Sequence, residues 1–256
     1  MRKRGQRRQS RVDRGSLAVA GLALLFVLLP VEAGAAVTCS SAGTGDFDGD
    51  RFTDTVECAG IALPNGTVVT LNPNVEDFFV ILQRSNPSLL PSDPFVFISK
   101  PVTQGGLGWI SHLVDSTQAP GQLVGGVKVI RVTESQDLNG DTLGFADAGQ
   151  DLVIVWTARI RRHIVGVYAG AGIAEASIPP NVFTDYYNHT TAQEVGHLLA
   201  LKTICDARWG PGCHDKDGAA LVMERSVKYT VKGGHVTFYT GVNFTSADQN
   251  GALPPQ

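Results

Sequence analysis

Only four of the 256 residues are cysteine, and no two of them are spaced as C-x₂-C. That argues against a cysteine zinc knuckle, although a site made from all four remains a rival to two disulfides. Repeats at solenoid periods are missing, so a stacked-repeat architecture is excluded. No segment after the first 35 residues is apolar enough to span a bilayer. Basic residues are also scarce there. Residues 1–35 carry seven basic and two acidic residues, which leaves 14 basic against 22 acidic in the remainder. An acidic domain of this kind disfavours nucleic acid as a partner and favours bound cations or plain solubility.

The N-terminal 35 residues have the features of a secretory signal peptide. Arg2, Lys3, Arg4, Arg7, Arg8, Arg11 and Arg14 form a basic region, residues 17–29 an apolar core, and Ala33-Gly34-Ala35 a small-x-small cleavage site. An uncleaved anchor is the alternative, and Pro30 with the A-G-A site favours cleavage. The expectation is a secreted or periplasmic protein with no stable membrane span after cleavage. Export makes disulfides natural, and the cysteines fall into two sequence-local pairs, Cys39/Cys58 and Cys205/Cys213. Three connectivities are possible, of which the local one closes short loops.

The rest reads as one α+β domain over 36–256, long enough for a sizeable core. A turn at Pro64-Asn65-Gly66 separates strands expected at 60–63 and 67–71. Strand composition recurs at 75–82, 127–132, 152–160, 227–231 and 235–239, while 84–126 reads as loops with short elements, among them 94–98. Arg159, Arg161 and Arg162 then close a strand and face water. After Pro179-Pro180, with Asn181 as N-cap, a helix is expected over 182–201. Thr191-x-x-Glu194 has capping-box spacing but lies inside that helix. The tail, 246–256, looks frayed.

Two loops are rich in carboxylates. Asp46, Asp48, Asp50, Asp54 and Glu57 occupy positions 1, 3, 5, 9 and 12 of a twelve-residue stretch, the ligand spacing of an EF-hand loop. Phe52 offers a carbonyl at position 7. Position 6, where the turn calls for glycine, is Arg51. A thrombospondin type-3-like calcium loop fits equally well. Five carboxylates this close repel one another without a cation, so Ca²⁺ is the expected ligand and a solvated acidic turn the alternative. Asp137-Leu138-Asn139-Gly140-Asp141 is a second D-x-N-G-D loop, but Ala148 stands where the twelfth-position acid belongs, and a solvated turn is favoured there.

Residues 190–201 read TTAQEVGHLLAL. On a helix Gln193 and His197 lie one turn apart, with Glu194 beside the first. That is the spacing of H-E-x-x-H, in which two imidazoles grip one Zn²⁺ and the glutamate acts on the metal-bound water. Here an amide replaces the first imidazole. His189 shares the face but lies about 12 Å from His197 along the axis, too far to serve the same ion. His214, in the loop GPGCHDKDG, is placed as a loop histidine that supplies a third ligand. A lone helical histidine is more commonly a satisfied, partly buried residue.

The stretch QEVGHLLAL, followed 26 residues after His197 by Met223 in LVMERSV, resembles the metzincin branch of zinc metallopeptidases, with its H-E-x-x-H-x-x-G-x-x-H motif and later Met-turn. The upstream D-x-D-G-D…D-x-x-E loop and aromatic D-F-F-V strand resemble exported bacterial metallopeptidase-like proteins. The resemblance implies a zincin-like mixed sheet carrying a long active-site-like helix. It divides the chain into a signal peptide (1–35), a calcium-loop segment (36–58) and a metallopeptidase-like domain (59–256). It implies Glu194 as base, His197 as zinc ligand, Met223 beneath the metal, and a peptide or protein substrate. Gln193, Ala200 and Thr203 depart from the pattern at the first ligand, the glycine and the third ligand, leaving His214 as replacement third ligand. An amide holds Zn²⁺ poorly, so weak zinc binding and slow or absent hydrolysis are expected. The alternative is a non-catalytic calcium-binding secreted protein that keeps the fold; a zinc site used for another hydrolysis is a third.

Overall fold

A computed structural model of the chain describes residues 36–63, 66–104, 106–114, 129–199, 227–241 and 243–244. Cys205, Cys213, His214 and Met223 lie outside the described residues, as do Ala200, Thr203 and the whole leader. The elements are α1 (Asp54–Ala59), β1 (Ile61–Ala62), β2 (Val68–Val69), β3 (Asp77–Gln83), α2 (Val96–Ser99), β4 (Ile110–Val114), β5 (Ile130–Ser135), β6 (Gly144–Asp147), β7 (Leu152–Trp156), α3 (Thr157–Gly170), α4 (Pro180–Leu198), β8 (Lys228–Lys232) and β9 (His235–Tyr239). None of the described helices is long and apolar enough to cross a membrane.

A mixed five-stranded sheet in the order β4-β3-β5-β7-β6 organises the fold. β4, β3, β5 and β7 run parallel, and β6 pairs antiparallel with β7 at the edge. The two-residue alternation of a strand decides which core each side chain joins. On β3, Phe78 and Val80 enter the core under the helices, together with Ile130, Val132, Val153 and Val155 from β5 and β7. Phe79 and Ile81 point the other way, into a smaller core with Phe52, Ile61, Leu63 and Leu71. Both faces of β3 are therefore covered, as its uninterrupted apolar run requires. Phe52 meets Phe79 edge-to-face, ring centroids 5.9 Å apart, so the acidic segment is packed onto the sheet by its own aromatic residue.

The first local cysteine pair is bonded, Cys39 to Cys58, tying the start of this segment to the end of α1. Closing a loop of 19 residues in the unfolded chain contributes about 3 kcal/mol.

The short elements expected within 84–126 are the helix α2 and the strand β4. Two expectations are corrected here. The apolar run at 152–160 is strand only to Trp156; Thr157 begins α3, which composition missed because its β-branched residues look the same in a strand and on a buried helix face. The arginines consequently do not share one environment. Arg159 is buried, while Arg161 and Arg162 stay partly exposed.

Where β5 ends, a buried carboxylate organises the chain. Glu134 accepts hydrogen bonds from the backbone N–H groups of Ser85 and Leu89 and from the hydroxyls of Ser88 and Thr157. Burial alone would raise its pKa, but these donors hold it below the usual glutamate range. The group joins the 85–90 turn to the first residue of α3. Glu134→Ala strands several buried donors and should cost about 3 kcal/mol or more. Urea unfolding measures it as a lower midpoint at unchanged slope, and a loss under about 1 kcal/mol would show that water replaces the carboxylate there.

Candidate functional site

The acidic loop folds around its own carboxylates. Asp46 accepts from the N–H groups of Gly49 and Arg51, Asp50 from those of Phe52 and Asp77, and Asp54 from that of Phe47. Arg51 adopts φ +80°, the left-handed conformation that glycine takes at the sixth position of such loops, at a cost of roughly 1 kcal/mol. Thr53 caps α1 through its hydroxyl, which starts the helix just where Glu57 must turn back into the loop.

Two groups of carboxylates result, each with one oxygen per residue within 4.8 Å of the others: Asp46 with Asp48 and Asp50, and Asp50 with Glu57 and Asp77. Either could hold a metal ion. Asp50, Glu57 and Asp77 are all fully buried. Glu57 has no hydrogen-bond partner on either oxygen, nor has Asp48 on Oδ2. Burial, reinforced by neighbouring carboxylates, pushes Asp48 up to about 7 and Glu57 up to about 8. Burial likewise pushes Asp50 up to about 6, against its backbone hydrogen bonds. Buried carboxylates without donors are rare, because each leaves an uncompensated charge or an unmatched acceptor. Asp54 is the one expected ligand that these groups leave out; it spends Oδ1 on Phe47.

Asp77 was missed from sequence. It lies twenty residues beyond Glu57, at the head of a strand whose apolar run hides it, and only the alternation of β3 puts it on the loop side with Phe79. Its Oδ1 is hydrogen-bonded to His112 Nε2 on β4, and the His112 ring stacks on Phe79 at 5.0 Å.

The second loop resolves differently. Arg159 places its guanidinium on Asp137 Oδ2 (2.6 Å), the Asp137 carbonyl and the Thr142 carbonyl, and Arg162 takes the carbonyls of Leu138 and Gly140. With the Asn139 N–H, Arg159 holds Asp137 below the usual aspartate range. The protein's own arginines thus occupy the carbonyls and the first carboxylate of this D-x-N-G-D loop.

α4 starts at Pro180, with Pro179 and not the expected Asn181 at its N-cap, because proline's missing N–H costs nothing in the first turn. Its second half is buried on nearly every side, yet that surface includes Asn188, His189, Thr190, Thr191 and Gln193. A helix serving only the core would carry leucine at such places. His189 sits in apolar surroundings that push it down to about 4, with Nδ1 at 3.2 Å from the Gly241 carbonyl. Its Nε2 is buried with no hydrogen-bond partner among the described residues. Gln193 and His197 follow one another on the helix one turn apart, Gln193 buried and His197 half-buried.

Glu194, between them on the helix, faces the edge strand. A Cβ on Gly144 of β6 would lie 2.5 Å from Glu194 Oε1 and 2.6 Å from its Cγ, so any larger residue at 144 would have to displace this carboxyl. Burial pushes Glu194 up to about 7, in the range where a carboxyl can both take and return a proton near neutrality. Neither β6 nor the approach of Gly144 was legible beforehand, since four residues with two small ones carry almost no strand signal. Among the described residues no third histidine, cysteine or carboxylate joins His197 to make a metal cluster.

Comparison with known proteins finds no family model, curated protein or solved structure that matches this chain.

Proposed function

We propose that the protein is an exported, metallopeptidase-like protein of zincin type that binds Ca²⁺ through its acidic loop and receives an extended polypeptide along β6, beside Glu194. The observation that carries the reading is the contact of β6 with α4 at Gly144 and Glu194. Among the described residues β6 has a strand neighbour on one side only, so its other side offers backbone donors and acceptors to an added strand. An extended chain docked there runs past a carboxyl poised near neutral pH, which can draw a proton from water and pass it on.

Zinc fits the described residues only in part. Gln193 and His197 provide an amide and one imidazole, short of the three strong donors of a catalytic site, and His214 is the replacement for the third ligand that Thr203 does not supply. Zinc held there would polarise a carbonyl and acidify water. Calcium is favoured over zinc at the acidic loop because its donors are all hard oxygens, with a side chain at the twelfth position able to bind through both.

Casein incubated with the mature protein, with and without added Zn²⁺, tests the reading. Slow cleavage that Glu194→Gln abolishes supports it, whereas neither cleavage nor binding of casein would sink it. The non-catalytic calcium-binding protein is the second reading. The amide at Gln193 favours it, and zinc-independent binding of casein without cleavage is its signature.

A further inference from the structure

The acidic loop contains a ligand set that its own twelve residues do not complete. Glu57 is fully buried, with both oxygens unpartnered, and it groups within 4.8 Å with Asp50 and a residue from outside the loop, Asp77. Asp77 is the first residue of β3 and pairs in register with Ile110 of β4. Strand alternation puts it on the face that carries Phe79 and Ile81, the face that the acidic segment covers. Three further contacts hold it in place. Its N–H donates to Asp50 Oδ2 at 2.9 Å, its Oδ1 is bonded to His112 Nε2, and its Oδ2 accepts from the Asn72 N–H at 3.3 Å. A carboxylate pinned by a neighbouring imidazole and a backbone amide is oriented as metal-binding carboxylates usually are.

We propose that Asp77 is a calcium ligand contributed by the central sheet, with His112 as its positioning residue, so that one Ca²⁺ clamps residues 46–57 onto β3 and β4. The inference rests on the reading of the acidic loop as a calcium site. It goes beyond that reading because a loop-only site would order the loop alone, whereas a clamp couples occupancy to the sheet. A hard divalent cation accepts six to eight oxygen ligands, and Asp46, Asp48, Asp50, Glu57, Asp77 and the Phe52 carbonyl fall within that number. The clamp also accounts for three buried carboxylates from two distant parts of the chain meeting where Phe52 and Phe79 close the smaller core.

The test is calcium titration calorimetry on the mature, disulfide-bonded protein, with hydrogen exchange read on the same samples. Wild type should bind one Ca²⁺. Asp77→Asn keeps the shape but weakens the donor, and should lose affinity by roughly 10- to 100-fold, a range typical of weakened metal-site partners. His112→Gln should lose less, because it removes orientation and no ligand. Calcium should slow exchange at 77–82 and 110–114 in the wild type, together with 46–57. That wild-type measurement stands even if a variant folds poorly. Unchanged affinity in Asp77→Asn, or protection confined to 46–57, overturns the clamp while leaving a calcium loop in place. No calcium binding by wild type overturns the loop reading itself.

Discussion

Stripping Ca²⁺ from the mature protein should lower its melting temperature, and the loss should grow as pH rises. A cation present at about 1,000 times its Kd stabilises the folded state by about 4 kcal/mol, worth roughly 8–16 °C for a domain of this size. The pH dependence follows from the direction of the carboxylate shifts. Asp48, Asp50 and Glu57 are raised to about 7, 6 and 8. Groups whose folded values lie above their unfolded ones contribute stability that is complete below about pH 4 and is lost as pH climbs through the folded values. The cation-free protein should therefore weaken steadily between about pH 4 and 8. Glu134 acts in the opposite sense: its depressed pKa supports the fold above the usual glutamate range and fails only in acid. Calcium should flatten the slope between pH 6 and 8, since it takes over the charge that protons neutralise in its absence. Scanning calorimetry at pH 5, 6.5 and 8, with EDTA and with millimolar Ca²⁺, measures both effects. Glu57→Gln should abolish the calcium response, because it removes the one side chain placed to bind through both oxygens. A melting temperature indifferent to calcium at pH 8 would refute a cation at this loop.

Replacing Gln193 with histidine should convert weak zinc binding into firm binding. The helix already places positions 193 and 197 one turn apart, so the new imidazole arrives on the same face as His197 and beside Glu194. Exchange of an amide for imidazole should raise zinc affinity by at least 100-fold, read by competition with a chromogenic chelator. Casein cleavage should appear or increase in this variant, and Glu194→Gln in the same background should remove it while leaving zinc bound. That pairing separates the base from the ligands. Gly144→Val probes the same place from the strand side. Its side chain collides with Glu194, so it should depress cleavage in the Gln193→His background without reducing zinc affinity. If Gln193→His gains no zinc, the helix does not hold metalloprotease geometry, and the non-catalytic reading stands in front.

The legible and the illegible parts of this protein divide by the range of the interactions involved. The acidic loop was readable because its ligands are spaced by the loop's own turns, each carboxylate bonding N–H groups within a few residues. α4 was readable for the same reason: Pro180 starts it, helical periodicity carries it, and Gln193, Glu194 and His197 keep fixed offsets whatever surrounds them. Cys39 and Cys58 flank the loop and meet. By contrast, α3 was hidden because Ile160, Ile164 and Val165 are β-branched and continue a strand's composition without a break. β4 and β6 were hidden because an edge strand needs few apolar residues of its own.

By itself, then, the sequence determined the local chemistry: an acidic turn built to the spacing of a calcium loop and flanked by two cysteines, and a helix with a glutamate between an amide and a histidine. Tertiary structure alone decided what those pieces face. Pairing of β3 with β4 and β5 places Asp77 under the loop and His112 against it. Pairing of β6 with β7 carries Gly144 to Glu194, and the turn into α3 gives Asp137 a guanidinium as its counter-charge. The physical reason is that strand pairing joins residues tens of positions apart through backbone hydrogen bonds that any side chain can accompany, so the partners of a carboxylate are set by sheet order and register, which no local pattern encodes.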